Sequence, residues 1–258
     1  MPSEPLGGRV AILTGALGNL GPVWARALAE AGANVVGIDL RPDDGSGGGA
    51  FARLEQGDVT QRSDLERIKE GLGDLRDASI LVNNAGIDQP PDAGAGTHTL
   101  EDMPLEAFRR TFDVNVAGTF NATQVFGPAM RDAGSGSIVN IGSLYASIAP
   151  DPGFYDHMDV DPPFLKPPAY GASKAAVVNL TRYLARLWGP HGVRVNALSP
   201  GGVRAAQDDA FLEKYRARVP LRRMAEPDDL AGPLVFLASD ASRYLSGQEL
   251  RVDGGFTA

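Results

Sequence analysis

The sequence predicts an α/β protein, a single domain built on a parallel β-sheet with helices on both faces. Three observations lead there. Short apolar segments alternate with stretches of helical period along the chain. Those segments lack polar alternation, as expected of strands buried on both faces. The 258 residues hold no internal repeat and no linker that would divide them, and that length suits one large α/β domain.

The elements follow in order. Val10–Leu13 reads as the first buried strand, and Pro22–Ala31 as a helix stopped by Gly32. Proline suits a first helical turn and glycine a helix end. Val35–Ile38 is the next strand, and Gly45–Gly49 (GSGGG) a loop tip. Arg62–Gly71 is a helix, Ile80–Val82 a strand and Leu105–Met130 one long helical stretch. Ile138–Ile141 and Val193–Leu198 are strands flanking a helix at Ala172–Trp188. Pro227–Ala238 is the last helix and Glu249–Val252 the last strand. Residues 146–169 break this rhythm with six Pro and four Asp among Phe154, Tyr155, His157 and Phe164. Prolines at that density exclude a regular helix or central strand. A long ordered loop of this kind is usually functional, so the segment is expected to be a substrate lid, with a second lid segment at about 204–225.

Composition narrows the partners. Basic residues number 24 against 32 acidic, a net charge of −8, which argues against nucleic acid or an anionic membrane as the partner. No apolar run reaches the ~20 residues of a membrane span. The start, MPSEPLGGRV, does not read as a signal peptide, so the cytoplasm is expected. With no Cys, and with His98, His157 and His191 far apart, no metal site is expected. Only four of the basic residues are Lys, which sets Lys174 apart.

Between the first strand and first helix lies TGALGNLG, Thr14 to Gly21. Glycines there let the backbone approach a pyrophosphate, and helix N-terminal N–H groups hold the anion. Asn19 stands where a glycine is expected, and Asn tolerates left-handed backbone better than most residues. Asp39 ends the second strand, 24 residues after Gly15, near the offset of an acid that accepts from an adenosine ribose. Its carboxylate repels a 2′-phosphate and so favours NAD over NADP; Arg41 pulls the other way.

With these features the chain resembles the short-chain dehydrogenase/reductase family over roughly Gly8 to Phe256. The resemblance rests on the glycine turn, on Asp58-Val59, on Asn83-Asn84-Ala85-Gly86 and on Asn115 in DVNVAGTF. It rests further on Ser143 in NIGSLYA, on Tyr170 and Lys174 in YGASK, on SPGGV (Ser199 to Val203) and on the ending VDGGF. It implies a Rossmann-type doubly wound sheet of about seven parallel strands and a homo-oligomer, dimer or tetramer. It implies cofactor contacts from Gly15, Gly18, Asn19, Leu20, Asp39, Leu40, Asp58, Val59, Asn84, Ala85, Gly86, Tyr170, Lys174, Pro200, Gly201 and Val203. It also implies Tyr170 as general acid/base, Lys174 lowering its pKa and holding the nicotinamide ribose, Ser143 orienting the carbonyl oxygen, and Asn115 positioning a water relay. The chain departs from the family in three places. Asn19 replaces a glycine, 27 residues separate Ser143 from Tyr170, and Arg204-Ala205 stand where a Thr would face the nicotinamide carboxamide.

The Tyr170–Lys174 spacing has its own logic. Positions i and i+4 share a helix face. A free phenol titrates near ~10, and an ammonium or the positive nicotinamide beside it favours phenolate, moving it toward the range of a general base. Tyr170 then takes an alcohol proton while hydride leaves the same carbon, and Ser143 hydrogen-bonds the oxygen where charge develops.

The reading is an NAD-dependent oxidoreductase interconverting a secondary alcohol and a ketone, or a sugar hemiacetal and lactone. The polar and aromatic insert suits a sugar, polyol or sugar acid, with Ser143, Tyr145, Tyr155, His157, Tyr170, Arg204 and Gln207 as substrate candidates. An NADP-dependent reductase of apolar or aromatic ketones stays open, as does a non-catalytic cofactor sensor.

Overall fold

The computed structural model describes residues 4–43, 45, 48–88 and 97–258. Residues 1–3 of the amino-terminal segment, and Ser46 and Gly47 of the expected loop tip, lie outside the described residues. Seven strands, β1 (Val10–Thr14), β2 (Asn34–Asp39), β3 (Arg53–Gln56), β4 (Ile80–Asn83), β5 (Gly136–Ile141), β6 (Val193–Pro200) and β7 (Glu249–Val252), form one sheet in the order β3-β2-β1-β4-β5-β6-β7. Every pairing is parallel. The expected Rossmann-type sheet is therefore present.

Each central strand alternates its side chains between two cores, as strand geometry requires. Leu13, Val35, Ile80, Val82 and Val139 enter the core beneath α1 (Gly21–Glu30), where Trp24 and Leu28 meet them. Ile12, Val36, Leu81 and Ile138 enter the opposite core, with Leu65 and Ile68 of α2 (Arg62–Gly71) and Phe126 of α4 (Gly118–Asp132). Burying each such side chain is worth roughly 1.5–3 kcal/mol. Two buried faces explain why the strands read as unbroken apolar runs. β3 breaks that rule: it is an edge strand of sequence RLEQ with no buried residue, so its pattern carries no strand signal.

The helical stretch expected at Leu105–Met130 is two helices. α3 (Leu105–Phe112) and α4 are joined by a π-helical turn, Asp113–Ala117, that contains Asn115. α5 (Pro168–Trp188) starts one turn earlier than Ala172, which places Tyr170 on the same helix as Lys174. Within the second lid segment lies α6 (Asp209–Arg218), opened by the Asp208 side chain accepting from the Phe211 N–H at 2.8 Å. The final helix, α7 (Ala231–Ala238), is preceded by a 3-10 turn at Pro227–Leu230. No helix among the described residues is long and apolar enough to cross a membrane.

Strand order reverses between β1 and β4. Crossovers leave the sheet on opposite sides there, opening a crevice at the strands' carboxyl ends. Thr14, Asn83, Ile141 and Pro200 end β1, β4, β5 and β6, and the candidate site is built on them.

Candidate active site

The glycine turn is fastened from both sides. The Thr14 hydroxyl accepts from the N–H groups of Asn84 and Ala85 at 3.2 and 3.1 Å. Asn84 Nδ2 donates to the Gly15 carbonyl at 2.9 Å, and Trp24 Nε1 donates to Asn84 Oδ1 at 2.8 Å. Gly15 has φ 66°, and a Cβ there would lie 2.7 Å from the Ala85 Cα, so only glycine fits. Asn19 keeps a negative φ, since Arg222 is the one non-glycine residue of positive φ among the described residues; its replacement of a glycine carries no strain. The N–H groups of Asn19 and Leu20 take part in no hydrogen bond among the described residues. Two free donors at the mouth of α1, beside a glycine held open, fit the pyrophosphate of a dinucleotide.

At the end of β2, Asp39 is 8% exposed. Its Oδ2 accepts from the Leu17 N–H at 2.8 Å, and its Oδ1 from the Arg41 N–H and Nε at 3.0 and 3.2 Å. Arg41 also donates to the Leu17 carbonyl. The guanidinium is thus folded back onto Asp39. A carboxylate offers about four acceptor positions, and these three bonds leave one unused. Leu40 beside it is 65% exposed. Asp58 accepts from the Thr60 N–H and hydroxyl, both at 2.8 Å. The buried Val59 packs where a Cβ on Gly118 would meet its Cγ2 at 2.6 Å.

Ser143, two residues past β5, is 7% exposed, and its Oγ accepts from the Tyr145 N–H at 3.2 Å. The Tyr145 ring meets the Tyr170 ring edge-on at 6.5 Å. Lys174 Nζ donates to the Ile141 carbonyl at 2.8 Å and lies 5.7 Å from the Tyr170 ring centroid. Gly86 lies close by, since a Cβ there would sit 3.5 Å from Lys174 Nζ and 3.2 Å from Asn115 Oδ1. The structure thus brings Ser143, Tyr145, Tyr170 and Lys174 together.

Burial dominates the electrostatics of the pair. Burial, and then the charge of Asp88, push the Tyr170 phenol above its usual range, with a smaller opposing pull from the Ser143 side chain. Burial pushes Lys174 down to about 8, with Asp88 opposing. Lys174 does not hold Tyr170 low, because desolvation disfavours both charged forms at once. Among the protein's own groups, Tyr170 is poised as an acid.

Asn115 spends its side chain on the scaffold. Its Oδ1 accepts from the Ile87 N–H at 2.8 Å, and its Nδ2 donates to the Ile87 carbonyl at 3.1 Å and to Ser173 Oγ at 3.0 Å. A π turn widens the helix locally and holds Asn115 against the β4–α3 loop.

The two segments expected to be lids pack on each other. Phe154 and Tyr155 of the insert join Leu212 and Tyr215 of α6 in a satellite core. Ion pairs Asp151–Arg218 and Asp156–Lys214 rim it. His157 lies in that seam: Lys214 Nζ donates to its Nδ1 at 3.0 Å, and Nε2 bonds Asp208 at 3.1 Å. The Gln207 amide is spent on its own loop, accepting from the Ala205 N–H and donating to the Val203 carbonyl, and Arg204 is exposed. His157 and Gln207, read from the sequence as substrate contacts, are therefore held by lid and loop partners. Tyr155 is 6% exposed, against Phe164 at 4.8 Å, and its phenol is pushed up to about 12, chiefly by burial. Behind the lids, Gly201 lies so close to Asp253 that a Cβ would stand 2.7 Å from its Cα, and Val203 bridges to Ala225.

Two residues escaped the sequence reading. Lys166, its side chain 7% exposed, pairs with Asp88 at 2.6 Å and lies 5.5 Å from the Tyr170 ring centroid. The scarcity of Lys that marks Lys174 marks Lys166 equally. Asp88 gave no signal, since 78 residues separate the partners.

A family model described as Enoyl-(Acyl carrier protein) reductase matches residues 15–257. The chain is 36% identical to galactitol 2-dehydrogenase of Rhizobium johnstonii over 98% of its length and 96% of that protein's. A short-chain dehydrogenase of Leptospira borgpetersenii with bound NAD+ superposes with TM-score 0.86 at 32% identity, covering 99% of this chain and 95% of that one. A gluconate 5-dehydrogenase of Burkholderia cenocepacia, in complex with NADP and tartrate, superposes with TM-score 0.84 at 29% identity, covering 99% and 98%.

Proposed function

The chain belongs to the short-chain dehydrogenase/reductase family and is a nicotinamide-dependent oxidoreductase acting on CH–OH groups, and we propose that it oxidises a secondary alcohol of a sugar, polyol or sugar acid with NAD. The observation that carries the reaction is the convergence of Ser143, Tyr170 and Lys174 at the carboxyl end of β5. The sugar-type substrate is supported by the relatives, a galactitol and a gluconate dehydrogenase, and by the polar rim of the lids.

The bound nicotinamide supplies the hydride acceptor. The Asn19 and Leu20 N–H groups would hold its pyrophosphate, Asp39 the adenosine ribose, and Lys174 the nicotinamide ribose. Ser143 Oγ hydrogen-bonds the substrate oxygen, fixing it where charge develops. Tyr170 Oη exchanges the proton with that oxygen, giving it up in the reducing direction and taking it in the oxidising one. The raised phenol favours proton donation for the protein alone; an oxidised nicotinamide held nearby would shift the balance toward phenolate. Segments 146–169 and 204–225 act as lids over this site. The same reading makes the protein a cytoplasmic homo-oligomer, dimer or tetramer. Phe120 on α4 and Tyr183 on α5, 42% and 63% exposed, support a partner surface.

Rates with NAD across alditols, aldonates and apolar secondary alcohols test the reading. Turnover of polyhydroxylated substrates is expected. Tyr170→Phe is expected to lower kcat by ~10²–10⁴ with NADH binding intact. Turnover of apolar alcohols alone would remove the sugar assignment, and an active Tyr170→Phe would remove the acid/base role.

A further inference from the structure

The Asp88–Lys166 pair takes no part in the proton exchange above. A Lys side chain only 7% exposed is costly to bury, and a partner 39% exposed makes a half-open ion pair that adds little to stability. Its location is therefore informative. Lys166 Nζ lies 5.5 Å from the centroid of the Tyr170 ring. The charge of Asp88 reaches Tyr145, Tyr155, Tyr170 and Lys174. The residues beside each partner are held. Asn115 holds the Ile87 N–H and C=O, next to Asp88. Lys166 precedes Pro167 and Pro168, which open α5 and restrict the chain before them.

We propose that Asp88 and Lys166 form a subsite for the hydroxyls beside the reacting carbon, selecting a neutral polyol over a carboxylate-bearing sugar acid. The inference rests on the dehydrogenase reading of Ser143 and Tyr170 and narrows its substrate. An alcohol group both donates and accepts. One hydroxyl donates a hydrogen bond to Asp88 while it, or its neighbour, accepts one from Lys166. A sugar-acid carboxylate has no proton to offer Asp88 and is repelled by it. Lys166 cannot act as a free cation for that carboxylate, because Asp88 already neutralises it at 2.6 Å. Lys suits the task better than Arg: its compact ammonium turns three donors freely, where a guanidinium would lock bidentate onto a carboxylate.

The test is initial rates with NAD for the full-length protein, Asp88→Asn and Lys166→Gln, using alditols and aldonates of equal carbon number. NADH fluorescence titration confirms that each variant is folded. The wild type is expected to favour the alditol in kcat/KM by ~10-fold or more. Asp88→Asn unpairs Lys166: alditol KM rises ~10-fold, more than kcat falls, and aldonate KM drops. Lys166→Gln raises alditol KM and leaves the aldonate excluded. If Asp88→Asn does not fold, Lys166→Gln decides alone, and an unchanged alditol KM overturns the subsite. A wild-type preference for aldonate overturns the neutral-polyol inference and leaves the dehydrogenase reading standing. Turnover of apolar alcohols alone, or of no alcohol with NADH still bound, overturns the parent reading instead.

Discussion

Lys174 is 5% exposed, and burial lowers its ammonium to about 8. The sign of the consequence follows from linkage. Between about pH 8 and the ordinary Lys range near ~10.4, the unfolded chain holds a proton that the native chain has released. Stability from this group therefore rises with pH across that window and is lowest below it. Melting curves of the wild type and Lys174→Met from pH 7 to ~10 check this: the wild type should gain on the variant as pH rises, and parallel curves would show the ammonium unshifted. Asp39 makes a second prediction. Its carboxylate would repel a 2′-phosphate and should make NADH bind at least ~10-fold more tightly than NADPH. Asp39→Ala should erase that gap, because Arg41, now bound to Asp39 at 3.2 Å, is released toward the phosphate. Equal affinities in the wild type would show that Arg41 outweighs Asp39. Asp39 was legible because the acid sits at the end of an apolar strand; its engagement by Arg41 was not, since hydrogen bonds to a neighbour two residues away depend on the turn that β2 makes.

Among the elements, α5 carries two of the candidate site residues, Tyr170 and Lys174. Its start at Pro168 puts Tyr170 one turn before Lys174, the i, i+4 geometry that the YGASK spacing implies. α3 and α4 show the opposite case: the π turn at Asp113–Ala117 has no composition of its own, and Asn115 sits in it because its side chain bonds Ile87. The lid insert and α6 are joined by two kinds of contact of unequal weight. Exposed ion pairs such as Asp151–Arg218 are worth ~0–1 kcal/mol, whereas truncating a buried Phe typically costs ~3–5 kcal/mol. Phe154, 3% exposed, packs against Phe211 at 5.5 Å and Tyr215 at 6.1 Å. Phe154→Ala should therefore loosen both segments and expose 146–169 to limited proteolysis, while Arg218→Gln changes cleavage and melting little. The reverse ranking would mean the ion pairs hold the lids.

For the whole molecule, the strand order β3-β2-β1-β4-β5-β6-β7 carries residues separated by tens of positions to one edge of the sheet. Buried polar contacts brace that edge. Asn83 Nδ2 donates to Asn140 Oδ1 at 2.8 Å and Asn140 Nδ2 to Thr181 Oγ1 at 2.8 Å, tying β4, β5 and α5 together beneath the site. The amino-acid sequence by itself determined the layered α/β class, the glycine turn and the candidate trio Ser143, Tyr170 and Lys174. Those signals are local: apolar runs buried on two faces, glycines where backbone must come close, and a phenol and ammonium one helical turn apart. The tertiary structure alone decided what these groups do to one another. It left β3 without a sequence signal because an edge strand buries no full face. It enclosed the Tyr170 phenol, and that burial raises it above the usual range. It brought Asp88 to Lys166 because contact across 78 positions comes from how the chain folds, with no trace in local spacing.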